Sequence, residues 1–369
     1  MNNATTDQNR ASFTRFIRLA VALVWLAALT SCGSGDQTSD NNAKAQWISD
    51  AFASIESGRY ARLKAVSWWH ENWDPVSLRI DSSAASLDAY RAAIDSPVFV
   101  TQPAFSAQKL IPPAKGIYLA AFPDFCGPED CISAQRIADF EALAGKPMAW
   151  AYFSDNWFDD STGAARIVFP QQAVETIAAA GRLPFIRLMA RTSYQEGLAD
   201  PVYSMQAIID GQFDDELMAW ALAAKAWGQP LLAEFGTEVN GEWFPWNGVH
   251  NGGARSDGYG DPTQADGPER FRAAYRHIVE LFRGQDVTNI SWFFHANGDS
   301  EPDDEWNQMA EYYPGDDIID WIGVSVYNGL WVRDEERSFE DLMDAAWPQL
   351  TALSPDKPIA VLELGMDEE

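Results

Sequence analysis

From residue 116 onward, short apolar runs alternate with longer stretches whose apolar positions recur at helical spacing. The runs cover residues 116–122, 147–153, 183–189, 230–235, 289–294, 319–327 and 358–363. Each is apolar at almost every position. A strand with one wet face alternates, so near-continuous apolarity marks parallel strands buried on both sides. Between them, residues 133–144, 170–180, 214–226, 268–282 and 339–353 read as helices. Strand–helix alternation predicts an α/β fold with a parallel sheet. No G-x-G-x-x-G follows the first run, so a dinucleotide-binding version has no support.

Seven strands are one short of a closed (β/α)8 barrel. The eighth is expected at the other end of the chain. Residues 44–61 place Ala45, Ile48, Ala51, Phe52 and Ile55 at helical spacing, residues 63–69 read as a strand ending in Trp68-Trp69, and residues 87–94 read as a second helix. Helix, strand and helix are the parts missing after the seventh run. The expected architecture is therefore a single TIM barrel over residues 44–369, with 44–105 completing it and 116–369 supplying strands one to seven.

The N-terminus has its own pattern. Arg15 and Arg18 precede an apolar run over residues 19–29, too short for the roughly 20 residues a membrane span needs and laid out like a secretory signal. It ends in Leu29-Thr30-Ser31-Cys32, which resembles a bacterial lipobox with Cys32 as the acylated residue. Residues 1–31 are thus expected to be a lipoprotein signal and 32–43 a small, polar tether. Gly33 after the cysteine favours an outer-membrane destination. Of the three Cys, two remain, Cys126 and Cys131. Export implies an oxidising compartment, so a bridge between them is expected. No metal site is expected from the remaining Cys and only four His.

The charge narrows the ligand. With 26 basic and 54 acidic residues the net charge is -28, which excludes the basic footprint a nucleic-acid binder needs. The 16 Trp, 20 Phe and 11 Tyr suit a neutral ligand with flat apolar faces, such as a sugar polymer. The densest polar and aromatic cluster runs from Glu234 to Trp246, at the C-terminal end of the fourth run counted from residue 116. Glu363 ends the seventh run. Barrel enzymes carry catalytic groups at that end of their strands, and a carboxylate ending an apolar strand is expensive to bury without a purpose. Glu238 and Glu363 together suggest glycoside hydrolysis, in which one carboxyl protonates the leaving oxygen and the other attacks the anomeric carbon or activates water. Glu234 and Glu242 read equally well as solvated loop acids.

Residues 237–246 also resemble the H-E-x-N-G-x-W-F-x-W stretch of glycoside hydrolase family 26, matching at all but the leading His, where Thr237 stands. The stretch from Asp320 to Tyr327 and that from Lys357 to Gly365 resemble the family's sixth and seventh strands. The resemblance implies a retaining (β/α)8 glycosidase with Glu238 as acid/base after strand four and Glu363 as nucleophile after strand seven. It implies Asn240, Trp243, Trp246, Tyr327 and Trp69 as cleft residues, with Tyr327 hydrogen-bonded to Glu363. His295 could fill the place of the missing histidine, which in mannan-cleaving members helps hold the nucleophile. No cofactor is required. The implied activity is endo-β-glycan hydrolysis, with β-1,4-mannan first and mixed-linkage β-glucan or β-xylan next; a polysaccharide-binding lipoprotein without turnover is the alternative from another class. Set on the family's strand order, the chain reads as a circular permutant cut after strand seven. Oligomeric state is left open.

Overall fold

A computed structural model describes residues 43–73, 75–159, 161–330 and 336–368. The expected signal, Cys32 and most of the expected tether lie outside these residues. Among the described residues, no helix is long and apolar enough to cross a membrane.

Eight parallel strands close into a barrel: β1 (Leu63–Trp69), β2 (Ile117–Phe122), β3 (Trp150–Asn156), β4 (Leu183–Met189), β5 (Leu231–Phe235), β6 (Ile290–Asn297), β7 (Trp321–Asn328) and β8 (Ile359–Met366). They follow one another around the barrel in chain order, and β1 closes the ring. It pairs in parallel with β2 through Ala65↔Tyr118 and Val66↔Leu119, and with β8 through Leu63↔Ile359 and Val66↔Val361. Closure removes both sheet edges, which would otherwise expose unpaired backbone groups.

Helices cover the outside: α1 (Ala43–Glu56), α2 (Ala84–Ile94), α3 (Ala134–Ala144), α4 (Gln171–Ala179), α5 (Asp214–Trp227), α6 (Asp266–Gly284) and α7 (Phe339–Leu353). The first, α1, fills the gap between α7 and α2. Its buried stripe of Trp47, Ile48, Ala51, Phe52 and Ile55 sets Phe52 edge-on to Tyr90 at 5.6 Å, while the Trp47 indole donates to the Arg337 carbonyl at 3.0 Å. The helix stops at Glu56 instead of reaching residue 61, because Gly58 takes a left-handed φ of 78° that breaks the helical path. Arg62 then donates to the carbonyls of Ser354 and Lys357, tying the start of β1 to the turn before β8. The second helix starts earlier than its apolar pattern indicated, at Ala84, because the Ser83 hydroxyl accepts from the Ser86 N–H and caps it.

Inside the barrel, inward side chains alternate in layers. The lower layer is aromatic. Phe293 lies 4.7 Å from Phe185, 5.5 Å from Trp321 and 6.5 Å from Trp150, and Tyr118 lies 6.4 Å from Trp321. Below it, a hairpin of Ala104–Ser106 and Lys109–Ile111 stoppers the N-terminal end. Its Leu110 N–H donates to the Ser291 hydroxyl at 2.7 Å and its Lys109 ammonium pairs with Asp320 at 2.9 Å. Two residues further along β3, β4 and β6 the layer becomes polar, with Tyr152, Arg187 and His295.

Candidate active site

The strand β5 ends at Phe235 and the chain turns at once. Gly236 has φ 71°, and a Cβ there would meet the Phe271 ring at 2.3 Å, so only glycine permits the turn. Glu238 follows in the left-handed region at φ 48°, a conformation that non-glycine residues rarely take outside functional sites. Gly241 is needed for another reason. A Cβ on it would lie 2.1 Å from the Trp243 ring. The bare backbone lets the indole fold down and donate from Nε1 to Glu238 Oε2 at 2.9 Å.

On the far side, β8 delivers Glu363, which is 4% exposed. Its Oε2 accepts from the Tyr327 hydroxyl at 2.7 Å. Its Oε1 faces Arg187 Nη2 at 3.2 Å as an ion pair, with no aligned hydrogen bond among the described residues. Burial, opposed by the Arg187 cation and reinforced by the Glu238 charge, pushes Glu363 up to about 7. Burial raises Glu238 too, against the Ser325 hydroxyl, Arg187 and the Trp243 indole. The Glu238 charge is thus among the causes that raise Glu363, whereas the charge that adds to the burial of Glu238 is that of Glu196.

Beneath the pair lies a charged layer. Arg187, 2% exposed, meets Glu129 Oε2 at 2.7 Å through Nη1 and Glu234 Oε1 at 3.5 Å through Nε, and lies over the rings of Trp69 and Tyr152 at 5.0 and 5.3 Å. The His295 imidazole turns Nδ1 to Glu234 Oε2 at 3.0 Å and to the Thr237 hydroxyl at 2.9 Å, and Nε2 to the Ser325 hydroxyl at 2.8 Å. Burial would lift Glu234, but His295, Arg187 and the Tyr152 hydroxyl outweigh it and hold that carboxyl below its ordinary value.

The structure therefore gathers Glu238, Glu363, Tyr327 and Trp243 around one region of the C-terminal face. Four expected cleft residues are placed otherwise. Trp246 is fully buried, donating to the Thr237 carbonyl at 2.7 Å and stacked on Phe244 at 4.6 Å, so its faces are closed to a sugar ring. Asn240 is also buried. Its side chain accepts from the Asn297 N–H at 2.7 Å and donates to the Asn297 carbonyl and the Ser300 hydroxyl, which braces the loop after β6 and leaves no amide group for a ligand. His295 lies beneath the cleft on Glu234 and Ser325, and the side chain that reaches Glu363 is Arg187. Trp69 is 2% exposed, stacked on Phe122 at 4.1 Å, with its indole donating to Glu71 Oε2 at 3.2 Å.

Arg187, Glu129, Tyr152 and Ser325 were not singled out from the sequence. Arg187 carried a usable signal: it is the lone charge in an apolar run, and a cation buried in a strand demands partners. Glu129 carried none. It reaches Arg187 from the loop that Cys126 and Cys131 close with a disulfide, Cα–Cα 5.8 Å. Cys126, Asp130 and Cys131 form the one close cluster of metal-ligating types among the described residues, and its two thiols are consumed by the bridge.

Residues 206–360 match the model of glycosyl hydrolase family 26, a span that includes Glu238 and ends just short of Glu363. Endoglucanase H of Acetivibrio thermocellus is 28% identical over 171 residues, 45% of this chain and 17% of that protein. A β-1,3-xylanase of an Alcaligenes species is 27% identical over 160 residues, 43% of this chain and 28% of that protein. The match thus spans less than a third of the length of either relative. Among solved structures, Bacillus subtilis mannanase BCman aligns with a TM-score of 0.45 at 16% identity, covering 63% of this chain and 66% of that one. Bacillus subtilis mannanase man26 aligns with a TM-score of 0.39 at 14% identity, covering 87% and 77%.

Proposed function

We propose that this chain, a glycoside hydrolase of family 26 over the matched residues, is a retaining endo-acting β-glycanase. The observation that carries the reading is the pair itself. Two buried carboxyls stand at the C-terminal ends of β5 and β8, and burial raises both. Arg187 and Tyr327 support Glu363 as the anion against that burial. The reading assigns the proton to Glu238. Glu238 then protonates the leaving oxygen while Glu363 Oε1, the oxygen without a hydrogen bond, attacks the anomeric carbon. Glu238, now a carboxylate, removes a proton from the water that releases the glycosyl group. Retention requires a carboxyl separation of about 5–5.5 Å in the complex.

The substrate is a neutral β-glycan. The two relatives, by name an endoglucanase and a β-1,3-xylanase, bring β-glucan and β-xylan level with β-1,4-mannan, and Thr237 in place of the usual histidine favours the first two. Reducing-sugar release from mannan, lichenan and both β-1,3- and β-1,4-xylan decides among them. No release from any, with intact binding, would leave the non-catalytic reading standing.

Two further parts of the proposal rest on strand order and on the leader. Glu238 follows the fifth barrel strand and Glu363 the eighth, one later than the fourth and seventh that the resemblance implies. With β1 seated between β8 and β2, that offset supports a circularly permuted family barrel. The Leu29-Thr30-Ser31-Cys32 stretch supports lipidation at Cys32 and anchoring at a bacterial outer membrane. Mass spectrometry of the mature N-terminus tests it, since an unmodified Cys32 removes the anchor.

A further inference from the structure

We propose that Arg187 is the positioning residue of the nucleophile, reaching from β4 into the place that Thr237 leaves open where mannan-cleaving members usually carry a histidine. The inference rests on the glycosidase reading of Glu363. It stands on four contacts. Arg187 Nη2 donates to the Thr237 hydroxyl at 3.1 Å and meets Glu363 Oε1 at 3.2 Å with the same nitrogen. Its Nη1 is fixed by Glu129 at 2.7 Å and its Nε faces Glu234 at 3.5 Å. One planar fork thus serves three carboxylates and a hydroxyl, which the single point charge of a lysine cannot do. The rings of Trp69 and Tyr152, set edge to face 5.9 Å apart, both pack against the guanidinium.

His295 does not supply this contact. Both its nitrogens are engaged, with Glu234 and Thr237 on one side and Ser325 on the other. Thr237 is where the two arrangements meet, since its hydroxyl touches Arg187 and His295 alike. A short side chain at 237 admits the guanidinium, and the neighbouring strands deliver the cation and the imidazole in its stead.

The charged and titratable groups facing Glu363 are Arg187 from β4, Glu238 beyond β5, His295 from β6, Tyr327 from β7 and Tyr152 from β3. Arg187 is the group among them that stays cationic at every working pH. It opposes the burial that raises Glu363 and meets Oε1 while Tyr327 holds Oε2, so the carboxylate lies between two partners. The consequence is a nucleophile whose support does not titrate.

The test follows Glu363 directly. Isotope-edited infrared titration of carboxyl-labelled glutamate, assigned by the band lost in Glu363→Gln, reads its protonation without needing turnover. Arg187→Gln should raise the Glu363 midpoint by about 1–3 units, the range for a carboxylate losing an adjacent cation. Arg187→Lys should recover most of that shift, and His295→Gln should produce less than a third of it. Removing one partner of a buried cluster endangers folding, so the double variant Arg187→Gln with Glu234→Gln, which removes one charge of each sign, is measured alongside. The acidic limb of kcat/KM, on whichever glycan the wild type cleaves, should move with the infrared midpoint. An unmoved Glu363 midpoint in the folded Gln variant or the double variant would overturn the proposal, as would an equal shift in His295→Gln. A protein that cleaves no glycan sinks the glycosidase reading, and the infrared arm still decides whether Arg187 governs Glu363.

Discussion

The interior of this barrel is two rooms built on the same strands. Trp150, Phe185, Phe293 and Trp321 fill the lower one, and two residues onward β3, β4 and β6 present Tyr152, Arg187 and His295. The backbone cannot tell these positions apart, because both point inward with the same period of two. What differs is what surrounds them. The lower layer is closed beneath by the Lys109–Ile111 hairpin strand, whose Leu110 carbonyl accepts from the Trp321 indole at 3.0 Å, and otherwise packs ring on ring, so it gains chiefly from burial. The upper layer faces the cleft and must balance Glu129, Glu234, Glu238 and Glu363 against Arg187 and a set of donors. Stability and chemistry are thereby assigned to adjacent layers of one core.

Substitutions at the proposed catalytic pair sharpen that division most. Glu238→Gln or Glu363→Gln should each cut kcat/KM by at least about 10²–10⁴-fold, the share general acid–base groups carry, with the far-UV circular dichroism unchanged. Azide added to Glu238→Ala and Glu363→Ala should rescue activity with opposite anomeric outcomes; near wild-type rates in either Gln variant would remove that residue from the mechanism.

The converse lies one layer down. Phe293→Ala should cost about 3–5 kcal/mol by emptying the centre of the aromatic layer, read as a lowered denaturant midpoint. Tyr152→Phe, one layer up, gives up a hydrogen bond to Glu234 and should cost only about 1 kcal/mol. If the two variants destabilise equally, the rooms are not distinct.

The pH dependence tests the upper room as a unit. Glu363 sits at about 7 in the fold, so it takes up its charge near neutrality. The rate should fall along an acidic limb near 7, because a protonated Glu363 cannot attack the anomeric carbon. Glu71, buried beside Trp69 and repelled by Glu129, is pushed up to about 8. A raised value means that its stabilising share is complete below the ordinary glutamate range and is lost as pH rises through about 8. Glu71→Gln should therefore melt with the wild type at pH 4 and above it at pH 9. Melting below the wild type at pH 9 would show that the Glu71 anion has a partner that holds it.

A modest stability effect is expected at the Cys126–Cys131 bridge. It closes a short loop, so replacing both residues with Ser should cost no more than about 2 kcal/mol. Activity should fall further than stability, because that loop holds Glu129 against Arg187 and stitches itself to β3 through the Glu129 carbonyl and the Ser154 N–H at 3.0 Å. Unchanged turnover would detach Glu129 from the site.

Much of this was legible in one dimension. Near-continuous apolar runs fixed where the parallel strands fall, since a strand buried on both faces tolerates few polar residues, and Glu238 and Glu363 stood out because they end such runs. Gly241 was visible as part of the E-x-N-G-x-W-F-x-W stretch, though the reason for it, an indole lying across it, was not. Trp246 and Asn240 show the limit. Both sit in the densest motif of the chain, yet one is a buried ring and the other a loop brace, because sequence proximity to Glu238 says nothing about which way a side chain turns after a left-handed residue.

What the sequence determined by itself is the set of elements and the two carboxyls, because strand and helix periods are local and a carboxylate ending an apolar strand is costly enough to be conspicuous. What only the tertiary structure decided is who stands beside whom. Arg187 meets Thr237 across 50 residues, Thr237 meets His295 across 58, and Tyr152 meets Glu234 across 82. No pattern along the chain encodes those neighbours. They exist because eight strands close at β1, and closure turns each inward residue toward every other strand's inward residue at the same height.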